Sequence, residues 1–165
     1  MMFVCTQEER FWLVRNLAVG LVRHLQVDYP PVWVENLIKN PPAIFQDSER
    51  KPSTGRWDSI YQKHIYRGGK VTKPLDLPID ERRYAIAREI LIAMGGSKHG
   101  RDLGLPEILL PNLEECQDYF ARVLLAPDSL VASYRKQRRD LRGFAETFLM
   151  PMRIATLRWE DPLLP

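Results

Sequence analysis

Apolar residues near the start of the chain keep a helical rhythm. Phe11, Val14, Leu17, Ala18, Leu21, Val22 and Leu25 recur at three- and four-residue spacing, which predicts an amphipathic helix over residues 7–26. Asp28-Tyr29-Pro30-Pro31 ends it, because proline disfavours helical geometry in the residue before it. Pro31 suits the start of a short second helix over residues 32–39, since its missing N–H costs nothing in a first turn. Pro41-Pro42 stops that helix. Asp47 to Gly55 is polar and rich in breakers, a loop pattern. Ser59 to Tyr66 carries β-branched and aromatic residues and ends at Gly68-Gly69, which predicts a strand. Val71 to Leu77 supplies a second extended segment whose prolines suit a sheet edge.

Asp80 is placed to cap a helix from Glu81 to Met94, stopped by Gly95-Gly96. Its apolar positions wrap most of its circumference, the pattern of a buried central helix. Residues 97–111 read as a loop. Asn112 caps a helix through about Ala126, and Pro127 opens another through about Gln137. Leu141 to Leu149 forms a further helix, and Pro151 starts a last one ending near Trp159. Runs of helices flank the strands instead of alternating with them. The expected class is therefore α+β, mostly helical with a small sheet.

A chain of 165 residues, 45% hydrophobic and 27% charged, suits one compact domain. No apolar run approaches the roughly 18 residues of a transmembrane helix, so no membrane partner is expected. Glu8, Glu9, Arg10, Arg15 and Arg23 interrupt the amino-terminal apolar positions, which therefore do not read as a signal peptide. Cys5 and Cys116, the two cysteines, make no disulfide framework, and a reducing cytoplasm is the simplest compartment. The net charge of +3 says little about partners. Its distribution says more: Arg135, Lys136, Arg138, Arg139 and Arg142 fall close together. Such a run can contact phosphates, and it can equally be a solvated helix end favoured by the helix dipole. Phe144, Ala145, Phe148, Leu149, Ile154 and Leu157 around Met150-Pro151 have the pattern of a helix-turn-helix core.

The candidate chemistry centres on Arg88 and Glu89, adjacent charges in the most apolar helix. Charged residues are rarely buried unless paired. Either both lie on a narrow solvent-facing stripe, or they face an internal cleft. Ala85, Arg88, Glu89 and Ile92 share a face at i+3, i+4 spacing, so one small site would hold all four. Cys116 reads as a small buried hydrophobe, since a catalytic cysteine needs a nearby base. His24, His64 and His99 lie far apart and form no close metal-ligand pair.

The order of these segments resembles the ImmA/IrrE family of zinc metallopeptidases over about residues 8–160. Tyr29-Pro30-Pro31-Val32-Trp33-Val34-Glu35 is similar to the family's early Pro-Pro-Val segment. Residues 81–90, Glu-Arg-Arg-Tyr-Ala-Ile-Ala-Arg-Glu-Ile, are similar to its Arg-Arg-Phe-Thr-x-Ala-His-Glu helix. Residues 118–127, Asp-Tyr-Phe-Ala-Arg-Val-Leu-Leu-Ala-Pro, are similar to its Phe-Ala-x-x-Leu-Leu-x-Pro signature. Residues 141–159 resemble its closing turn and the Arg-Leu that follows, here Arg158-Trp159.

The resemblance implies a zincin-like scaffold in a single domain, 1–165. Residues 1–127 would form the peptidase-like core and 128–160 a helical, helix-turn-helix-like subdomain. It also implies that the site is degenerate. A zinc protease needs His-Glu-x-x-His on a helix, so that i and i+4 ligate one metal and the Glu activates bound water. Arg88 and Ile92 stand at the two ligand positions, and only Glu89 matches, at the general-base position. The third ligand maps near Cys116, within a residue or two, beside Glu114, Glu115 and Asp118. No zinc is expected. Carboxylates left without a metal are costly in a low dielectric, so Arg88 is expected to pair with Glu89, Glu114, Glu115 or Asp118. Adjacent helical residues point about 100° apart, which favours a partner on the 112–126 helix over Glu89.

The leading expectation is a non-catalytic pseudopeptidase that binds a protein partner, such as a helix-turn-helix regulator, in transcriptional or stress control. One alternative is a working hydrolase with a displaced metal site built from Glu89 and Cys116 with His64 or His99. Another is DNA binding through residues 134–158.

Overall fold

The computed structural model describes residues 4–46, 57–67 and 69–164. The loop expected from Asp47 to Gly55 lies outside the described residues. Helix α1 (Gln7–Leu25) starts at a reciprocal cap: Glu9 N–H donates to Thr6 Oγ1, and Thr6 N–H donates to Glu9 Oε2. It ends at Gln26, whose backbone is left-handed at φ 54°. Helix α2 (Glu35–Lys39) begins three residues later than its expected start at Val32. Val32 and Val34 are fully buried instead, and the Val32 carbonyl accepts a hydrogen bond from Arg83 Nη2 at 2.5 Å.

The expected strand from Ser59 to Tyr66 is corrected. Trp57–Gln62 is a 3₁₀ helix, and only Ile65–Arg67 is strand, β1. Three-residue periodicity puts Trp57 and Ile60 on one side, where both are buried. Trp57 Nε1–H also donates to the Phe45 carbonyl at 3.3 Å. Core burial at i, i+3 thus outweighs local β preference. Strand β2 (Lys70–Thr72) pairs antiparallel with β1 in the register Ile65 to Thr72. The second extended segment stops there, because Pro74–Asp76 turns into a 3₁₀ helix.

Helix α3 (Ile79–Gly96) is longer than expected at both ends. Pro78 holds its N-cap position, and Asp80 makes no cap; its carboxylate accepts only from the adjacent Glu81 N–H. Ser97 closes the helix, and its hydroxyl oxygen accepts from Gly100 N–H to start α4 (Lys98–Asp102). The loop expected over 97–111 therefore contains α4 and α5 (Leu105–Leu109). Gly100 is required there: a Cβ would sit 1.9 Å from the Met94 carbonyl oxygen. Helices α6 (Leu113–Leu125), α7 (Asp128–Gln137), α8 (Leu141–Phe148) and α9 (Met152–Glu160) lie close to their expected bounds. Asn112 holds the α6 N-cap position without capping it, since its Oδ1 accepts from Arg10 Nη1 at 2.9 Å.

The described residues are mostly helical with one two-stranded antiparallel sheet, an α+β arrangement. Helix α6 packs against both α1 and α3. Contacts fix α1 and α6 as parallel: Arg10 meets Asn112, Phe11 stacks on Tyr119 at 5.0 Å, and Arg15 meets Asp128 at 2.5 Å. Ile86, Ile90, Leu91, Phe120 and Leu124 are fully buried along these seams. Full burial of each such side chain is worth about 1.5–3 kcal/mol. No helix among the described residues is long and apolar enough to cross a membrane.

Candidate functional site

Helix α3 carries the site because its circumference is almost wholly apolar, which places its few charges at seams between elements. Ala85 and Glu89 are buried, while Arg88 and Ile92 are half-buried. The solvent-facing stripe is therefore excluded for Glu89, only 7% exposed. Arg88 turns toward α6, where its Nε lies 2.9 Å from Asp118 Oδ1. The N–H does not point along that line, so the contact is ionic rather than a hydrogen bond. Tyr84, one turn before Arg88, donates its hydroxyl proton to the same Asp118 oxygen. Gln117 Nε2 donates to the Arg88 carbonyl at 3.3 Å.

Glu89 points elsewhere. Its Oε2 accepts from Lys63 Nζ at 2.5 Å, in the segment between the 3₁₀ helix and β1. Arg153 on α9 binds both oxygens of Glu81, and its guanidinium lies 5.6 Å from the centre of the Tyr84 ring. Arg88 lies 6.0 Å from the same ring. The result is a chain of alternating charges, Arg153–Glu81 and Arg88–Asp118, arranged around one buried tyrosine. Such a network cross-links helices, and each acid in it is held by a cation.

Of the four expected acidic partners of Arg88, the structure selects Asp118. Glu114 and Glu115 are exposed in the first turn of α6 and make no hydrogen bond or ion pair among the described residues. Cys116 is fully buried, and burial pushes its thiol up to about 11. His64 and His24 are exposed, and His99 packs edge-on against Phe45 at 5.5 Å. Neither His64 nor His99 joins Glu89 and Cys116. Among the described residues, no group of three or more His, Cys, Asp or Glu side chains is arranged to hold a metal ion.

The basic run divides. Arg135 is half-buried, donates to the Trp159 carbonyl through Nη2, and lies 4.7 Å from the Trp159 ring centre. Arg142 pairs with Glu146 at 3.3 Å on the surface. Lys136, Arg138 and Arg139 are exposed. Within the expected helix-turn-helix core, Phe144, Ala145, Phe148 and Ile154 are buried, whereas Leu157 is 46% exposed. Leu149 sits at the turn in a left-handed conformation, φ 50°.

Tyr84, Lys63, Glu81 and Arg153 escaped the sequence reading. Tyr84 carried a signal, since it lies four residues before Arg88 and so on its face. Lys63 and Arg153 approach from distant segments and carried none. No family model matches the chain, and neither a curated protein nor a solved structure matches it.

Proposed function

We propose that the chain is a non-catalytic pseudopeptidase on a degenerate ImmA/IrrE-like, zincin-like scaffold, serving in the cytoplasm as a protein-binding regulatory module. The observation that carries this reading is the Arg88–Asp118 ion pair. In a zinc helix the first-ligand position would face its third ligand across the helix seam. Here the residue at that position is a guanidinium facing a carboxylate on α6. The guanidinium places a fixed positive charge where the metal's charge would stand, and it repels a cation. Ile92 offers no donor atom. Glu89, the general-base position, is held by the Lys63 ammonium, so its carboxylate is directed to a cation rather than to a water. The binding partner this reading favours is a protein such as a helix-turn-helix regulator, in transcriptional or stress control.

The test is metal analysis of purified protein beside an Arg88→His/Ile92→His variant. Wild type is expected to retain no stoichiometric zinc. The double variant is expected to bind about one zinc per chain through residues 88, 92 and 118. Stoichiometric zinc in wild type that is lost on Glu89→Ala or Cys116→Ala would overturn the reading in favour of a displaced-metal hydrolase. A second reading, nucleic-acid binding, draws on the exposed Lys136, Arg138 and Arg139.

A further inference from the structure

Helix α1 stops at the left-handed Gln26, and the following residues cross between two hollows. The smaller hollow has a volume of about 280 Å³ and is lined by Val27, Asp28, Tyr29, Trp33 and Asn36 among others. The larger, about 550 Å³, lies between α1 and α7 over Val19, Val22, Ala132 and Leu163. Gln26, Val27 and Asp28 line both, so the hollows are adjacent halves of one surface. None of Arg88, Glu89 and Asp118 lines either.

We propose that this surface docks an extended segment of a partner protein. A basic side chain of that segment enters the hollow at Tyr29 and Trp33, and a nearby aliphatic side chain enters the groove between α1 and α7.

Charge complementarity selects this occupant. Among the described residues, Asp28 is the only carboxylate lining the smaller hollow, and no Lys, Arg or His lines it. Its carboxylate is exposed and has no hydrogen bond or ion pair among the described residues. Tyr29 is 76% exposed and Trp33 49%, and the negative faces of such rings attract a guanidinium or ammonium. Arg83 already lies 5.4 Å from the Trp33 ring centre, but both oxygens of Glu35 neutralise it, each 2.9 Å from its Nη1. The larger groove has aliphatic lining at Val19, Val22, Ala132 and Leu163, which suits a leucine-like side chain. Of the charges that also line it, Arg15 and Asp128 pair with each other, and Arg23 repels a basic side chain, which leaves the smaller hollow as its place.

The experiment uses the full chain and follows the indole N–H resonance of Trp33 by NMR, assigned with Trp33→Phe. The probe is a blocked pentapeptide with arginine at its second position and leucine at its fourth. The arginine peptide is expected to shift the Trp33 signal at millimolar concentration. A glutamate-for-arginine peptide is expected to leave it unmoved. Asp28→Asn and Tyr29→Ala, both at exposed positions, are each expected to weaken binding about threefold to tenfold. The proposal is overturned if the arginine peptide produces no shift, if the glutamate peptide binds equally, or if both variants bind as wild type. It is also overturned if tetramethylammonium ion alone binds as tightly as the peptide, which would make the hollow a small-cation site.

Discussion

Arg88 on α3 and Asp118 on α6 meet at 2.9 Å across the seam between the two helices. Asp118 is 44% exposed, so solvent screens the pair, and its coupling should be modest. A double-mutant cycle with Arg88→Met and Asp118→Asn, read by urea denaturation, is expected to give about 0.5 kcal/mol. The Tyr84 hydroxyl, which shares the Asp118 oxygen, should make Asp118→Asn the more damaging single change. A cycle energy of zero would mean that Arg88 contributes only the packing of its stem.

Glu89 is the more demanding charge, because it is almost fully buried and takes its cation from an exposed-side lysine. Lys63→Met should leave a buried carboxylate unpaired and cost about 1–3 kcal/mol. Adding Glu89→Gln should recover most of that loss, since the amide carries no charge to desolvate. Equal stability of the Lys63→Met single variant and wild type in chemical denaturation would show that the pair contributes nothing.

Cys5 and Cys116 should separate in a thiol-reactivity assay. Cys116 is fully buried, and its thiol is pushed up to about 11, so at pH 8 about one molecule in a thousand carries the thiolate. Cys5 is only half-buried, in the segment leading into α1. Native protein is expected to release one equivalent quickly with a disulfide reagent, and the second only after denaturation. Two equally fast thiols would refute this.

The arginines of the basic run should divide by role. Arg135→Ala removes a guanidinium stacked on Trp159 and bonded to its carbonyl, so it should lower the unfolding free energy, read by urea denaturation, by about 1–2 kcal/mol. Arg138→Ala and Arg139→Ala should leave stability within about 0.5 kcal/mol, because both side chains are exposed. If the second reading holds, the same two changes abolish a salt-dependent association with duplex DNA in a mobility-shift assay. DNA binding that is absent in wild type removes that reading.

The helices were legible because their apolar periodicity is also what packs them: the spacing that predicts α1, α3 and α6 puts Val14, Ile90 and Phe120 into the core. The segment at Trp57 was not, since its two buried residues use three-residue spacing within a β-rich composition. The helix that supplies the partner of Arg88 followed from the 100° turn between neighbours, but the partner residue did not. Cys116 and Asp118 are two residues apart and so point to nearly opposite sides of α6, one into the core and one to the seam. A shift of two positions along α6 therefore exchanges a core face for the seam with α3. Lys63 was illegible for a different reason: it is 26 residues from Glu89, and no periodicity links a loop lysine to a helix carboxylate.

Asp128 should govern the acid limit of the fold. It opens α7 and is the point where Arg15 of α1, the fully buried Arg158 of α9 and the Leu164 N–H converge. Burial alone would raise its carboxyl. The hydrogen bonds from Arg15 and Arg158 outweigh burial and hold it below the ordinary 3.8. A carboxyl with a depressed folded value binds its proton more readily once unfolded. Its stabilisation is therefore present in full above about pH 4 and is lost as the pH falls through the folded value. Asp128→Asn leaves the buried Arg158 with only the more distant Asp161 carboxylate, 3.8 Å away, and should cost about 3 kcal/mol at neutral pH. The deficit should narrow steadily below pH 4, because wild type loses the same carboxylate there. Denaturant midpoints measured from pH 7 to pH 2.5 check this: parallel curves for the two proteins across that range would show that Asp128 does not set the acid limb.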